Sequence, residues 1–147
     1  MTEYWHSGQA RWVQVDPQID DLQGRVLSIS FDPLDMPPGE FVLAGEAWQM
    51  CRAGRADPEH FGIFQWHGWD FIKGNVLRDF LSLNKVEVLP WDGWGLTETS
   101  VESFTAEQMA QMDHLATLTL RGNEGFAELH VLYEENPIFH IPVEWFG

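Results

Sequence analysis

Cysteine occurs once in this chain of 147 residues, at Cys51. A single thiol excludes an internal disulfide and any multi-cysteine metal site, and it makes no demand for an oxidising compartment. Positive charge is also scarce: 8 Lys and Arg stand against 23 Asp and Glu, a formal net charge of -15. Neutralising phosphates takes clustered Lys and Arg, so this scarcity argues against a nucleic-acid binder and against an anionic membrane surface. No apolar run approaches the roughly 20 residues of a membrane-spanning helix, and no basic segment followed by an apolar one opens the chain. Neither glycine-rich phosphate loop, G-x-x-x-x-G-K or G-x-G-x-x-G, occurs, nor does the G-x-S-x-G nucleophile elbow. The six histidines, His6, His60, His67, His114, His130 and His140, show no H-E-x-x-H spacing and no helical i, i+4 pair, so no metal site is expected. A soluble, cytoplasmic protein with no expected cofactor is the reading these absences leave.

What is present suits a packed globule. Hydrophobic residues make up 44% of the chain and aromatics 14%, including 8 Trp and 10 Phe, unlike any disordered segment. A chain of this length buries roughly 70% of the surface its unfolded form exposes. One domain over residues 1–147 is therefore expected, mainly β over 1–31 and mainly α over 40–147. The acidic excess reads as a solvated surface or as a face for a basic partner.

Thr2–His6 and Arg11–Asp16 flank Ser7-Gly8-Gln9 and read as a β-hairpin. A period of two puts Trp12, Gln14 and Asp16 on one face of its second strand and Val13 and Val15 on the other, before Pro17 stops it. Arg25–Phe31 alternates and reads as a third strand or extended segment. The prolines of "DPLDMPPGE" make a loop leading to a helix around Phe41–Arg52. An apolar stripe of Val76, Leu77, Phe80, Leu81 and Leu83 predicts a helix over Asn75–Lys85, with Asn75 as its N-cap. Thr105 and Gln108 have the spacing of a capping box, ahead of a helix with Met109, Met112 and Leu115 on one side. A last helix is expected over about Glu124–Glu135, with Phe126, Leu129, Leu132 and Tyr133 inward, ending at Asn136-Pro137. A small N-terminal antiparallel sheet followed by a mostly helical body is an α+β fold.

"WHGWD" and "WDGWG" share W-x-G-W and place Trp66, Trp69, Trp91 and Trp94 in two glycine-relieved turns flanking the best helix. Aromatic platforms of this kind stack on sugar rings or line a pocket, and they equally serve as hydrophobic anchors for a core. Asp70 and Asp92 beside them are the polar hint of a binding surface.

"RWVQVDPQ" resembles the segment of transglutaminase-like proteins, papain-like in architecture, that reads roughly G-W-V-x-V-D-P-T. "TEYW" before it resembles the tail of that family's H-x-W-x-E-x-Y strand. The stretches "FDPLDMPPGEFVLAGEAWQMCRAGRADPEHFGI" and "FIKGNVLRDFLSLNKVEVLPWDGWG" look similar to the region that follows in bacterial members. The resemblance implies that Asp16 stands where the family carries the third member of a Cys-His-Asp triad. Matching Glu3 to the Glu of the strand puts the family His upstream of Met1 and the nucleophile further upstream still. Within this chain, Cys51 lies in a predicted amphipathic helix and reads as a buried small hydrophobe, since a nucleophilic thiol needs a lowered pKa and a base. Alternation turns His6 to the face opposite Glu3. Without an imidazole to orient, Asp16 reads as a turn-initiating residue before proline.

The expected function is therefore a transglutaminase-like domain without its nucleophilic Cys and His. It is either a non-catalytic binding or scaffold module, with Trp12, Trp66, Trp69, Trp91, Trp94, Asp70 and Asp92 as contact residues, or the C-terminal part of a longer thiol acyltransferase or peptidase in which Asp16 orients the His. The alternative is an acidic, immunity- or inhibitor-type protein that covers a basic protein surface. A small ligand is a further expected partner, as is a second copy of the chain through an exposed strand edge.

Overall fold

A computed structural model describes residues 2–17 and 19–142 of the chain. It has a two-stranded antiparallel sheet at the N-terminus followed by a mostly helical body, an α+β fold. The chain falls into two compact units, Met1–Val42 and Leu43–Gly147, and each is described by itself.

In the first unit β1 (Thr2–His6) pairs antiparallel with β2 (Arg11–Val15), bringing Tyr4 opposite Val13 and Trp5 opposite Trp12. Val13 is fully buried whereas Trp12 is 63% exposed, as the period of two requires. The Gln9 amide donates to His6 Nδ1 at 3.2 Å, so the His6 ring helps close the hairpin turn.

The strand expected over Arg25–Phe31 does not form. Its first part belongs to α1 (Asp21–Val26), which is nucleated by a reciprocal capping box. The Asp20 carboxylate accepts from the Gln23 amide at 2.8 Å, and Gln23 Oε1 accepts from the Asp20 amide at 3.1 Å. Two satisfied donors at a helix start outweigh a short alternating pattern, and Ser28, at φ 55, then turns the chain. The proline loop lies along β2 instead. The Asp16 amide donates to the Pro33 carbonyl at 2.8 Å and the Met36 amide to the Gln14 carbonyl at 3.0 Å. Proline is tolerated there because an edge asks it for an acceptor and no ladder donor.

The second unit is built on α2 (Ala44–Arg52), α3 (Trp69–Leu83) and α4 (Ala106–Thr119), which pack on one another, with α5 (Phe126–Glu135) against α3 and α4. Trp48, Ile72, Val76, Phe80, Met112, Leu115 and Leu129 are buried at their centre. Phe139 closes the core edge-on to Phe80, with centroids 5.1 Å apart. The Thr105–Gln108 box caps α4 as its spacing predicts, the Gln108 amide donating to Thr105 Oγ1 at 3.2 Å. The Trp48 indole donates to Asp113 Oδ1 at 2.8 Å, and Arg52 grips both oxygens of the same carboxylate. At Gly45 the backbones of α2 and α4 approach so closely that a Cβ would lie 2.5 Å from the Ala116 carbonyl oxygen.

Two expectations are corrected in this unit, and one element was not foreseen. The third helix starts at Trp69, not Asn75, and Asn75 lies in its interior, its Nδ2 donating to the Phe71 carbonyl one turn back at 3.2 Å. Asparagine satisfies backbone groups within a helix as well as at its start, so a Gly-Asn pair alone does not locate a cap. The last helix begins at Phe126, because Gly122–Glu124 forms a separate 3-10 turn, and Phe126, at the helix end, is 40% exposed. A second hairpin, β3 (Gly62–Ile63) with β4 (Trp66–His67), was not foreseen, since two-residue strands carry no periodic signal.

Candidate functional site

The two W-x-G-W segments divide their tryptophans in the same way. In each, the first Trp reaches solvent and the second goes inside. Trp66 is 53% and Trp91 65% exposed, whereas Trp94 is buried and the half-buried Trp69 packs edge-on to Trp48 at 5.1 Å. The motif thus supplies both an anchor for the core and a group for the surface.

Trp66 is set by the β3–β4 hairpin, where Ile63 pairs with Trp66 and Gly62 with His67. Gly62 sits at φ 155, and a Cβ there would come 2.2 Å from the Trp66 carbonyl oxygen, so only glycine lets the strands close. Trp91 is set by the turn Leu89-Pro90-Trp91-Asp92. The Asp92 amide donates to the Leu89 carbonyl at 3.1 Å, the Asp92 carboxylate accepts from the Leu89 amide at 2.7 Å, and Pro90 presets the bend. The two indoles, carried by segments on either side of α3 in sequence, meet with centroids 5.7 Å apart and planes tilted by 49°.

Together they rim an open groove of about 570 Å³, lined from α3 by Asp70, Phe71, Gly74 and Arg78 and from the following loop by Asp92 and Gly93. That volume suits a small ligand or a few residues of a peptide. Asp70 Oδ1 accepts from the Lys73 ammonium at 3.1 Å and the Val101 amide at 2.8 Å. Burial opposes ionisation of Asp70, yet the Val101 amide and Lys73 prevail and hold its carboxyl below the usual aspartate range. Lys73 is 1% exposed, donates also to the Thr99 carbonyl and lies 5.8 Å from the Phe104 ring centroid. Burial depresses its ammonium pKa against the pull of Asp70. Lys73 therefore supports the groove wall from within.

Arg78 ties α3 to the Trp91 turn, Nη2 donating to the Asp92 carbonyl at 3.1 Å. Its Nη1 fills the space over Gly74, where a Cβ would meet it at 2.7 Å. Among the described residues the buried Arg78 Nε has no partner, and burial lowers the guanidinium pKa. Sequence reasoning missed Phe71, Gly74 and Arg78. Their signal is the i, i+4, i+8 series Asp70, Gly74, Arg78 on one helix face, hidden as long as the helix was started at Asn75.

Of the other candidate residues, Trp12 and Asp16 belong to the first unit. Trp12 packs edge-on to Trp5 at 5.7 Å. Asp16 follows β2, and its carbonyl accepts from the Ile19 amide at 3.3 Å, closing a turn. Cys51 is buried in α2, and burial together with the nearby Asp57 charge pushes its thiol pKa up, away from thiolate reactivity. Among the described residues no three His, Cys, Asp or Glu converge as a metal-ligand set, and no helix is long and apolar enough to cross a membrane. No family model, no curated protein and no solved structure matches the chain.

Proposed function

We propose that this chain is a non-catalytic binding module whose contact surface is the groove rimmed by Trp66 and Trp91. The observation that carries the reading is the convergence of two mostly exposed indoles on one groove beside Asp70, Arg78 and Asp92. Large aromatics in contact with water lose hydrophobic stabilisation unless something covers them, and contact surfaces concentrate such residues. The raised thiol pKa of Cys51 supports a role without nucleophilic catalysis by that residue. A free cysteine also suits the reducing cytoplasm, where we place the protein.

The likeness of "RWVQVDPQ" to transglutaminase-like proteins belongs to the same proposal: Asp16 is the relic of a triad acid, or the working acid of a longer native chain that supplies the Cys and His. The intact mass of the protein from its native host separates these two versions. A second reading, an acidic protein that covers a basic partner, is supported by the net charge of -15.

The test is a titration of the full chain with neutral oligosaccharides, acidic peptides and basic peptides, followed by tryptophan fluorescence, on the native protein and on Trp66→Ala and Trp91→Ala. Saturable binding of one class that both variants lose is the expected result. Binding indifferent to both variants, or no binding by any class, overturns the groove as the contact surface.

A further inference from the structure

The Trp66–Trp91 groove continues into a second one of about 550 Å³, lined among others by Val86, Glu87, Val88 and Leu89, and the two share Arg78 and Asp92. The walls of this trough carry four carboxylates, Asp70, Asp79, Glu87 and Asp92, against the one guanidinium of Arg78. Asp70 is matched by Lys73 behind it and Arg78 is offset by Asp92 beside it; burial raises the Asp79 carboxyl pKa, so the exposed Glu87 is the main charge that leaves the trough negative. Residues 86–89 have no regular structure, yet half-buried Val86 and Val88 alternate with exposed Glu87 and Leu89, the period of a strand. Among the described residues, the amides of Glu87 and Val88 have no hydrogen-bond partner. The Val86 and Leu89 amides are taken by the Leu81 carbonyl and the Asp92 carboxylate, so in an extended run each edge offers one open amide, Glu87 on one and Val88 on the other, beside the exposed aromatic pair, and strand addition can start from such a donor.

We infer that the trough binds an extended basic segment of a partner protein. Its backbone pairs along one edge of residues 86–89 through the open Glu87 or Val88 amide, and a Lys or Arg side chain rests on the exposed indoles of Trp66 and Trp91. The inference rests on the groove reading above and names its occupant. Charge complementarity selects the occupant: a second copy of this chain would bring another net charge of -15 to a negative trough, whereas a basic segment is drawn in by the carboxylates and by the indole faces, which attract cations.

The probe is a peptide of about eight residues, long enough to span roughly 25 Å when extended, alternating Arg with Val and capped at both ends. Its counterparts carry Glu in place of Arg, or N-methyl groups on alternate amides. Binding to the full chain is read from amide and indole resonances. The Arg peptide is expected to saturate, to shift the Glu87 or the Val88 amide with the Trp66 and Trp91 indoles, and to weaken with salt. Trp91→Ala should weaken it about tenfold, within the range of a cation–π and stacking loss. Glu87→Lys, at an exposed position outside the core, should weaken it severalfold, and the N-methylated peptide should bind worse than its parent. Arg-peptide binding that is unchanged in both Trp91→Ala and Glu87→Lys is attraction to a generally acidic surface and overturns the inference, as does equal binding of the Glu peptide. Saturation by an oligosaccharide alone, lost in Trp66→Ala and Trp91→Ala, overturns this inference and leaves the groove reading standing. Failure of every probe ends both.

Discussion

Replacing Gly45 by Ala puts the close approach of α2 to α4 to a direct test. Helix propensity alone favours the substitution by up to about 1 kcal/mol, because Ala lowers the backbone entropy lost on folding. Here, however, the new Cβ would lie 2.5 Å from the Ala116 carbonyl oxygen, 2.7 Å from Thr119 Oγ1 and 3.1 Å from Leu120 Cγ. The hydroxyl can rotate away, but the carbonyl is held in the backbone of α4. Relief therefore requires α2 to back off from α4, carrying with it Trp48, which is fully buried and bonded across the same interface to Asp113. Overpacking that moves backbone costs about 3 kcal/mol, the upper end of the usual range. After the propensity gain, a net loss of about 2 kcal/mol remains. For a unit of this size that lowers the thermal midpoint by about 10 °C. Urea unfolding followed by far-UV circular dichroism, to which the helices of the second unit contribute most, measures the loss directly as a shift of the midpoint at constant slope. A Gly45→Ala protein as stable as the native one, or more stable, would refute the reasoning, since α2 and α4 would then have room for a methyl group.

Other outcomes follow from the same structure. Gly24→Ala, in α1 with nothing within 4 Å of the new methyl, should stabilise the first unit by up to about 1 kcal/mol, seen as slower amide exchange in α1; faster exchange there would contradict it. Asp113 is held below the ordinary aspartate range chiefly by hydrogen bonds from Arg52, with the Trp48 indole adding to them against the cost of burial. Its contribution is present above the ordinary pKa of about 3.9 and is lost as pH falls through the lower folded value. Asp113→Asn should therefore cost about 1 kcal/mol near neutrality, a modest figure for a half-exposed pair, and the two unfolding curves should converge in acid; a constant gap at all pH values would refute this. Lys73→Met strands the Thr99 carbonyl and removes the Asp70 ion pair, and a loss of about 1–3 kcal/mol in urea unfolding is expected, with no loss the contrary result. Cys51, buried with a raised thiol pKa, should react with a disulfide reagent at neutral pH only as fast as the unit opens, so prompt labelling of the native protein would contradict its burial.

Much of the fold was legible where sequence signals are local and doubled. The hairpin showed itself by alternation around a glycine turn, and α4 by the Thr105–Gln108 box. Both signals state which backbone groups are satisfied and by which residues. The third helix was legible in its apolar stripe but not in its start. That start is set by the unforeseen hairpin and by Gly68 at φ 83, neither of which leaves a periodic trace, and with it went the groove face of α3. The strand expected over Arg25–Phe31 failed although Asp20 and Gln23 show the same three-residue spacing as Thr105 and Gln108. The box was present in the sequence but was followed by alternation instead of a helical stripe. For the W-x-G-W pairs, sequence could state that tryptophans serve core or surface. The division within each motif is set by tertiary contacts between segments distant in sequence, Trp69 against Trp48 and Trp66 against Trp91.

The groove draws its lining from Gln65 through Thr97 alone, a single unbroken stretch with α3 at its centre. A site of such low contact order closes without waiting for distant segments to find one another, so it should take shape as soon as α3 and its flanking turns do. The burden of holding the core falls on the opposite face of the same helix, on Ile72, Val76 and Phe80. Changes confined to the rim, at positions such as Trp66, Glu87 or Trp91, can therefore alter the surface of the groove while leaving the packing of α2, α4 and α5 as it is. The architecture separates the part of the helical unit that can vary from the part that cannot.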